Sequence, residues 1–164
     1  MGMRKFFAVL GTLTSVAAVA AVTAQADSGD PPWGPATPNF NLQVILRPVA
    51  GASDSGFGLV KFRQPKDGFV IVHLDVWVRD LAPNNSYQLQ RATDISVDGD
   101  CTGTNWLTLG AITTDETGTG RANLFRDLSA IRIGTTFDIH FRVIDAVTKA
   151  VVLQSACYQY TVSQ

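Results

Sequence analysis

Histidine is scarce in this 164-residue chain, which has only His73 and His140. Metal binding and acid–base catalysis usually draw on imidazole, and these two form neither an H-x-H nor an H-E-x-x-H pattern. A two-histidine metal site completed by carboxylates is the alternative to the commoner case, histidines on the solvent face of strands. No G-x-S-x-G elbow occurs, and no Ser-His-Asp or Cys-His geometry can be read from spacing. Phosphate-cradling glycine loops are missing as well. A basic excess is also lacking. The 13 Lys and Arg residues against 14 Asp and Glu leave a formal charge of −1, which gives nucleic acid no electrostatic footprint. Beyond the first 26 residues there is no apolar run long enough to cross a bilayer, and no stretch with the period of an amphipathic helix.

The chain opens with Arg4 and Lys5, an apolar run from Phe6 to Val22, and Ala24-Gln25-Ala26. That is the charged region, hydrophobic region and A-x-A cleavage site of an export signal. The expected organisation is a signal peptide at 1–26, a Pro/Gly-rich extended leader at 27–38 and a single β domain at 39–164, secreted or otherwise outside the cytoplasm and free of membrane once the signal is removed. The leader holds Pro31, Pro32, Pro35 and Pro38, with Trp33 as a residue that could pin it to the domain. The cysteines, Cys101 and Cys157, are then expected to form one disulfide, because the cell exterior does not keep thiols reduced. Closing such a loop restricts the unfolded chain by roughly 4 kcal/mol in the entropic account. The alternative is a reactive thiol, but no histidine or basic cluster adjoins either cysteine.

Alternation with period two carries the rest. Phe40, Leu42, Val44 and Leu46 mark a first strand ended by Pro48, and Gly58, Val60 and Phe62 a second. The longest pattern is Val70, Val72, Leu74, Val76 and Val78, followed by a turn at Pro83-Asn84-Asn85 and a strand over Tyr87–Gln90. Arg91 to Asn105 reads as a long polar loop tethered by Cys101. Trp106, Leu107, Leu109 and Ile112 restart the sheet, Thr113–Gly120 turns, and Ala122, Leu124 and Phe125 follow. Phe137, Ile139, Phe141 and Val143 form a half-buried strand, and Val151–Val162 closes the chain. About eight strands and no helix predict an all-β, antiparallel Greek-key barrel or sandwich.

Three smaller features bear on function. Asp94, Asp98 and Asp100 make an acidic loop that could offer oxygen ligands to calcium, without EF-hand spacing or a terminal glutamate; the alternative is a solvated loop. Asn84-Asn85-Ser86 has the form of a glycosylation acceptor. If Val70 to Val78 point inward, Trp77 shares an outward face with Phe69, Ile71, His73 and Asp75 and is a candidate contact for a partner or a second copy of the chain.

From about Gly58 to Gln164 the ordered motifs resemble the copper/zinc superoxide dismutase family. Gly58-Leu59-Val60-Lys61-Phe62-Arg63-Gln64 is similar to its opening G-x-x-x-F-x-Q strand, and Tyr87-Gln88-Leu89-Gln90 stands where the family carries F-H-V-H. Asp100-Cys101-Thr102 resembles its G-C-T, Thr108 to Gly118 its D-L-G-N-V-T-x-D-x-x-G segment, Gly134 to Phe141 its G-R-T-L-V-V-H-E strand, and Gln154 to Gln164 its final R-L-A-C-G-V-I-G-I-A-Q. The resemblance implies the dismutase-like fold and a Cys101–Cys157 bridge, and it puts His140 on a copper-ligand position. It also implies that the chemistry is lost. Gln88 and Gln90 replace ligand histidines, Thr108 replaces a zinc-site aspartate, and Gln154 replaces the substrate-guiding arginine. An amide is a poor substitute for imidazole toward copper or zinc. The expected function is therefore a secreted, non-catalytic module without cofactor that binds an unidentified protein or small ligand or serves structurally. The alternatives are a divergent metal-dependent dismutase-like enzyme and an immunoglobulin-like adhesion domain.

Overall fold

A computed structural model describes residues 41–52, 55–65 and 67–163, and every regular element in it is a β-strand. The expected signal at 1–26 and leader at 27–38, with Trp33, lie outside the described residues, as does Phe40. The strands are β1 (Asn41–Pro48), β2 (Phe57–Arg63), β3 (Ile71–Arg79), β4 (Ser86–Asp94), β5 (Leu107–Thr113), β6 (Gly120–Asp127), β7 (Thr136–Asp145), β8 (Val151–Ser155) and β9 (Tyr158–Thr161).

They form one antiparallel sheet in the order β5-β4-β7-β8-β1-β2-β3-β6, with β9 on β7. Its two ends, β5 and β6, are consecutive in sequence and meet through a bridge between Thr114 and Gly120, so the sheet nearly closes into a barrel. β7 returns after β4, β5 and β6 to lie beside β4, which is a Greek-key connection. The expected all-β Greek-key architecture is thus observed. The C-terminal stretch, expected as one strand, is split. β8 pairs with Arg142–Ile144 and β9 with Thr136–Ile139, and between them Cys157 reaches Cys101 in a disulfide with Cα atoms 5.3 Å apart. At that break the Phe141 N–H donates to Ser155 Oγ at 2.9 Å, a side-chain substitute for a ladder bond.

The inward residues are those that the alternation picked: Leu42, Val44, Leu46, Val60, Phe62, Val72, Leu74, Val76, Val78, Tyr87, Leu89, Ile112, Phe141, Val143 and Leu153 are all buried. Each such aliphatic or aromatic side chain contributes about 1.5–3 kcal/mol by leaving water. One polar group joins them. Gln64, 1% exposed, accepts from Tyr160 Oη, from the Ser163 N–H at 3.0 Å and from Ser163 Oγ at 3.1 Å, and its Nε2 donates to the Ser163 carbonyl. It ties the end of β2 to the C-terminal strand, and the buried amide is fully paired, as burial requires.

Two expectations need correction. The strand expected to end at Gln90 continues to Asp94, with Arg91–Asp94 pairing Phe141–Asp138. Its inward positions there are Arg91 and Thr93, so the apolar alternation that marks a strand stops although the ladder does not. The strand expected to be half-buried, β7, is covered on both faces from Phe137 to Phe141: Asp138 is fully buried and His140 is 6% exposed. The cover is the loop between β4 and β5, which no local pattern could announce.

The barrel's ends are built differently. At one end the turns interlock. Leu81 is buried as a plug, and the Ala82 N–H donates to Tyr87 Oη at 3.0 Å. Asn84 N–H donates to the Asp115 carbonyl at 3.0 Å, and Thr114 Oγ1 donates to the Ala82 carbonyl at 2.7 Å. Gly118 sits at φ +78°, a left-handed position, and a Cβ there would collide with the Leu81 carbonyl oxygen. The Asp145 carboxylate joins this end to the β7–β8 turn by accepting from Asn85 Nδ2 at 2.7 Å, Thr148 N–H at 2.7 Å and Val147 N–H at 2.8 Å. These backbone donors, with Asn85, hold it at about 2, below the usual carboxylate range. At the opposite end, where β4 and β6 finish and β3 and β7 begin, Leu128 is buried and its N–H donates to the Val70 carbonyl at 2.7 Å, yet the described residues leave a cavity beside it.

Candidate functional site

Two places need examination: the outward face of β4, β5, β7 and β8, where the family resemblance puts metal positions, and the interior at the open end of the barrel.

Register sets the first. Gln90 stands opposite Thr108 on β5 and opposite Arg142 on β7, and Arg142 stands opposite Gln154 on β8. Two of the resembled metal-site positions, Gln90 and Thr108, and the guiding-arginine position, Gln154, thus fall in one row, with a guanidinium in the middle. His140 lies one row away opposite Ala92, and Gln88 one row the other way opposite Ile144. Thr108 and Gln154 are exposed, and Gln88 and Gln90 half-buried. The row is hydrogen-bonded within itself: Arg142 Nε donates to Gln90 Oε1 at 2.8 Å, and Gln90 Nε2 donates to Thr108 Oγ1 at 3.0 Å.

The covering loop completes the face. Arg142 lies 3.9 Å from the Trp106 ring centroid, a cation–π contact, and Trp106 lies 4.5 Å from the His140 ring at 34°. His140 Nε2 is 3.1 Å from the Gly103 carbonyl, a bond in which the ring nitrogen donates. Asp138 Oδ2 accepts from the Asp98 and Gly99 N–H groups at 3.1 and 2.8 Å. The Cys101–Cys157 bridge anchors this loop to the sheet. The alternation had left His140 as a surface histidine; the loop makes it a buried one, while His73 is exposed. The donor set does not suit copper or zinc. The one imidazole is committed to a carbonyl, the other groups are amides and a hydroxyl, and a fixed guanidinium would repel a cation.

The acidic loop turns on itself. Asp94 accepts from Ser96 N–H at 3.1 Å and Thr102 Oγ1 at 2.7 Å, and Asp98 accepts from Asp100 N–H at 3.0 Å. Thr102 and Ser96 hold Asp94 below its ordinary pKa. Among the described residues no three His, Cys, Asp or Glu side chains gather where they could hold a metal ion. Asn84 is exposed on the interlocked turn at φ 51°. Trp77 is half-buried, 6.0 Å from Phe57 in an edge-to-face pair, with the Arg79 guanidinium over both rings. Phe69, which the sequence put on the same strand face, precedes β3 and is 65% exposed.

Inside the open end lies a cavity of about 210 Å³. Its walls are apolar, with Phe62, Leu74, Leu109, Ile139 and Phe141 among them, and its polar groups are Arg91, Arg126, Thr93 and Thr135. Burial, and then the nearby charge of Arg126, push the Arg91 guanidinium below its usual pKa. Sequence reasoning missed this site. The signal was present, since Arg91 and Thr93 keep the parity of the inward-facing Tyr87 and Leu89, but reading it required extending the strand through polar residues.

No protein-family model and no curated protein matches the chain's sequence.

Proposed function

We propose that this chain is an exported, non-catalytic β-barrel module of superoxide dismutase-like type that works by binding, without copper or zinc. The observation that carries the reading is Arg142. It sits in the row that would hold metal-binding side chains, bonded to Gln90 and seated on Trp106, so a fixed cation occupies that row where an ion would have to sit. The disulfide supports a location outside the cytoplasm. One nearly closed sheet, and a bridge from a loop to a strand break, weigh against the immunoglobulin-like alternative, which packs two separate sheets across an inter-sheet disulfide.

Metal analysis of the purified protein with a superoxide assay is the test. The expected result is neither stoichiometric copper or zinc nor turnover, and stoichiometric copper with turnover would overturn the proposal in favour of a divergent enzyme. A sharper form restores the ligands. Gln88→His with Gln90→His should gain no copper affinity while Arg142 remains, and should gain it when Arg142→Ala is added, because the guanidinium is opposite position 90. A homodimer through the Trp77 face predicts that Trp77→Asp changes the sedimentation coefficient.

A further inference from the structure

We propose that the open end of the barrel binds a small amphiphilic carboxylate, its apolar tail in the cavity and its head between Arg91 and Arg126. The inference deepens the binding reading and rests on it.

The first support is unmatched charge. Both arginines line a cavity that has no acidic lining residue. The ion pairs among the described residues lie elsewhere, Arg63 with Asp75 and Arg79 with Asp80. Arg91 Nη1 donates to a neutral partner, Thr93 Oγ1, at 3.1 Å. Asp127 senses the charge of Arg126 weakly, but as its sequence neighbour on β6 it faces the other side of the sheet. Two guanidinium groups of like charge stand at the edge of an apolar chamber, Arg91 half-buried and Arg126 exposed, and an anion would meet both. The guanidinium fork suits a carboxylate, which it can bind through two parallel hydrogen bonds.

Size and wall chemistry choose the tail. An engineered apolar cavity of about 150 Å³ takes up benzene, so the larger chamber here suits a tail of roughly six to ten carbons or a single aryl group. Ile95 adds an independent sign. It lines the cavity mouth and is 92% exposed, an apolar side chain left in water that a bound tail would cover. The other polar lining groups, Thr93 and Thr135, are neutral and do not compete for the head group.

Calorimetric titration of the purified, disulfide-bonded protein with sodium octanoate, 1-octanol, octylammonium and acetate tests the proposal. Octanoate is expected to bind saturably at one site, octanol at least about tenfold more weakly, and octylammonium and acetate not measurably, since a charge-assisted bond to arginine is worth about tenfold or more. Arg91→Gln and Arg126→Gln should each weaken octanoate by about tenfold, while Arg63→Gln, outside the cavity, should leave it unchanged. Leu109→Trp, at a partly buried lining position, should abolish binding by filling the chamber, with its circular dichroism spectrum confirming the fold. Equal affinity for octanoate and octanol, indifference to both arginine substitutions, or binding to anionic vesicles without saturable binding of monomeric octanoate would each overturn it. Metal content and superoxide turnover test the parent reading, so the two can fail separately.

Discussion

The two ends of this barrel are made from the same strands, yet among the described residues one is sealed by its turns and the other holds a cavity. At the sealed end the turns supply one another's partners: the Asn84–Asp115, Thr114–Ala82 and Asn85–Asp145 bonds leave few free groups, and Leu81 fills the axis. At the open end Arg91 of β4 and Arg126 of β6, near the ends of their strands, face a chamber with no carboxylate among its lining residues. Polar residues are abundant at both ends, so polarity alone does not mark a site. What separates the ends is how the charged groups are matched: the Asp145 carboxylate is held by three donors, whereas Arg91 has a neutral partner, Thr93, and no carboxylate lines its chamber. On the outward face of β4 and β7, Gln90, Arg142 and His140 look like a site in sequence and are each engaged in space, with Thr108, Trp106 and Gly103 among their partners.

The comparison can be broken from either end. Removing the disulfide with Cys101→Ser and Cys157→Ser should have the largest effect, about 4 kcal/mol in urea unfolding. Hydrogen exchange should then show amides of the covering loop near Asp138 and His140 losing protection before those of the interlocked turns. Gly118→Ala strikes the sealed end, since a left-handed residue beneath the Leu81 carbonyl has no room for a methyl group. A loss of about 2 kcal/mol is expected, and an unchanged unfolding midpoint would show that the interlock is not rigid.

Tyr160→Phe removes one of the donors to Gln64 and should cost about 1 kcal/mol, because Ser163 still satisfies the amide oxygen. Burial raises the Tyr160 phenol above the usual tyrosine range. A raised folded-state pKa contributes stability that is complete below the unfolded value, about 10, and is lost as pH rises above it. The wild type should therefore lose more stability than Tyr160→Phe between neutral pH and pH 11, in parallel thermal melts. The smallest effect belongs to Asp145. Its pKa is depressed to about 2 from the ordinary 3.8, so its contribution is present above the unfolded value and disappears as pH falls through the folded one. Asp145→Asn should lower the melting temperature slightly at pH 7 and flatten its fall between those two values, in melts run in parallel with the wild type.

Most of the architecture was legible because half-buried strands announce themselves. β1, β2, β3 and β5 alternate since one face meets the core and the other meets water. The cysteine pair was legible from the N-terminal segment that reads as an export signal, which lies outside the described residues. The second half of β4 was not legible, because Arg91 and Thr93 interrupt the apolar code just where the strand borders a cavity. Nor was the burial of His140, whose cover comes from a loop that precedes it by some 37 positions in the bond to Gly103. Gln88, Gln90, Thr108 and Gln154 fall on neighbouring strands, and Arg142, whose strand parity marks it only as an outward arginine, stands among them.

By itself the sequence pointed to the all-β class, the inward faces of most strands and the pairing of Cys101 with Cys157, since these rest on residue periodicity and on an expected compartment, both local or compositional readings. Tertiary structure alone decided which polar groups are paired. Register across β4, β7 and β8 puts Arg142 beside Gln90, and closure of the barrel leaves Arg91 and Arg126 facing one chamber. Partner choice is a matter of distance in space, and sequence spacing does not contain it.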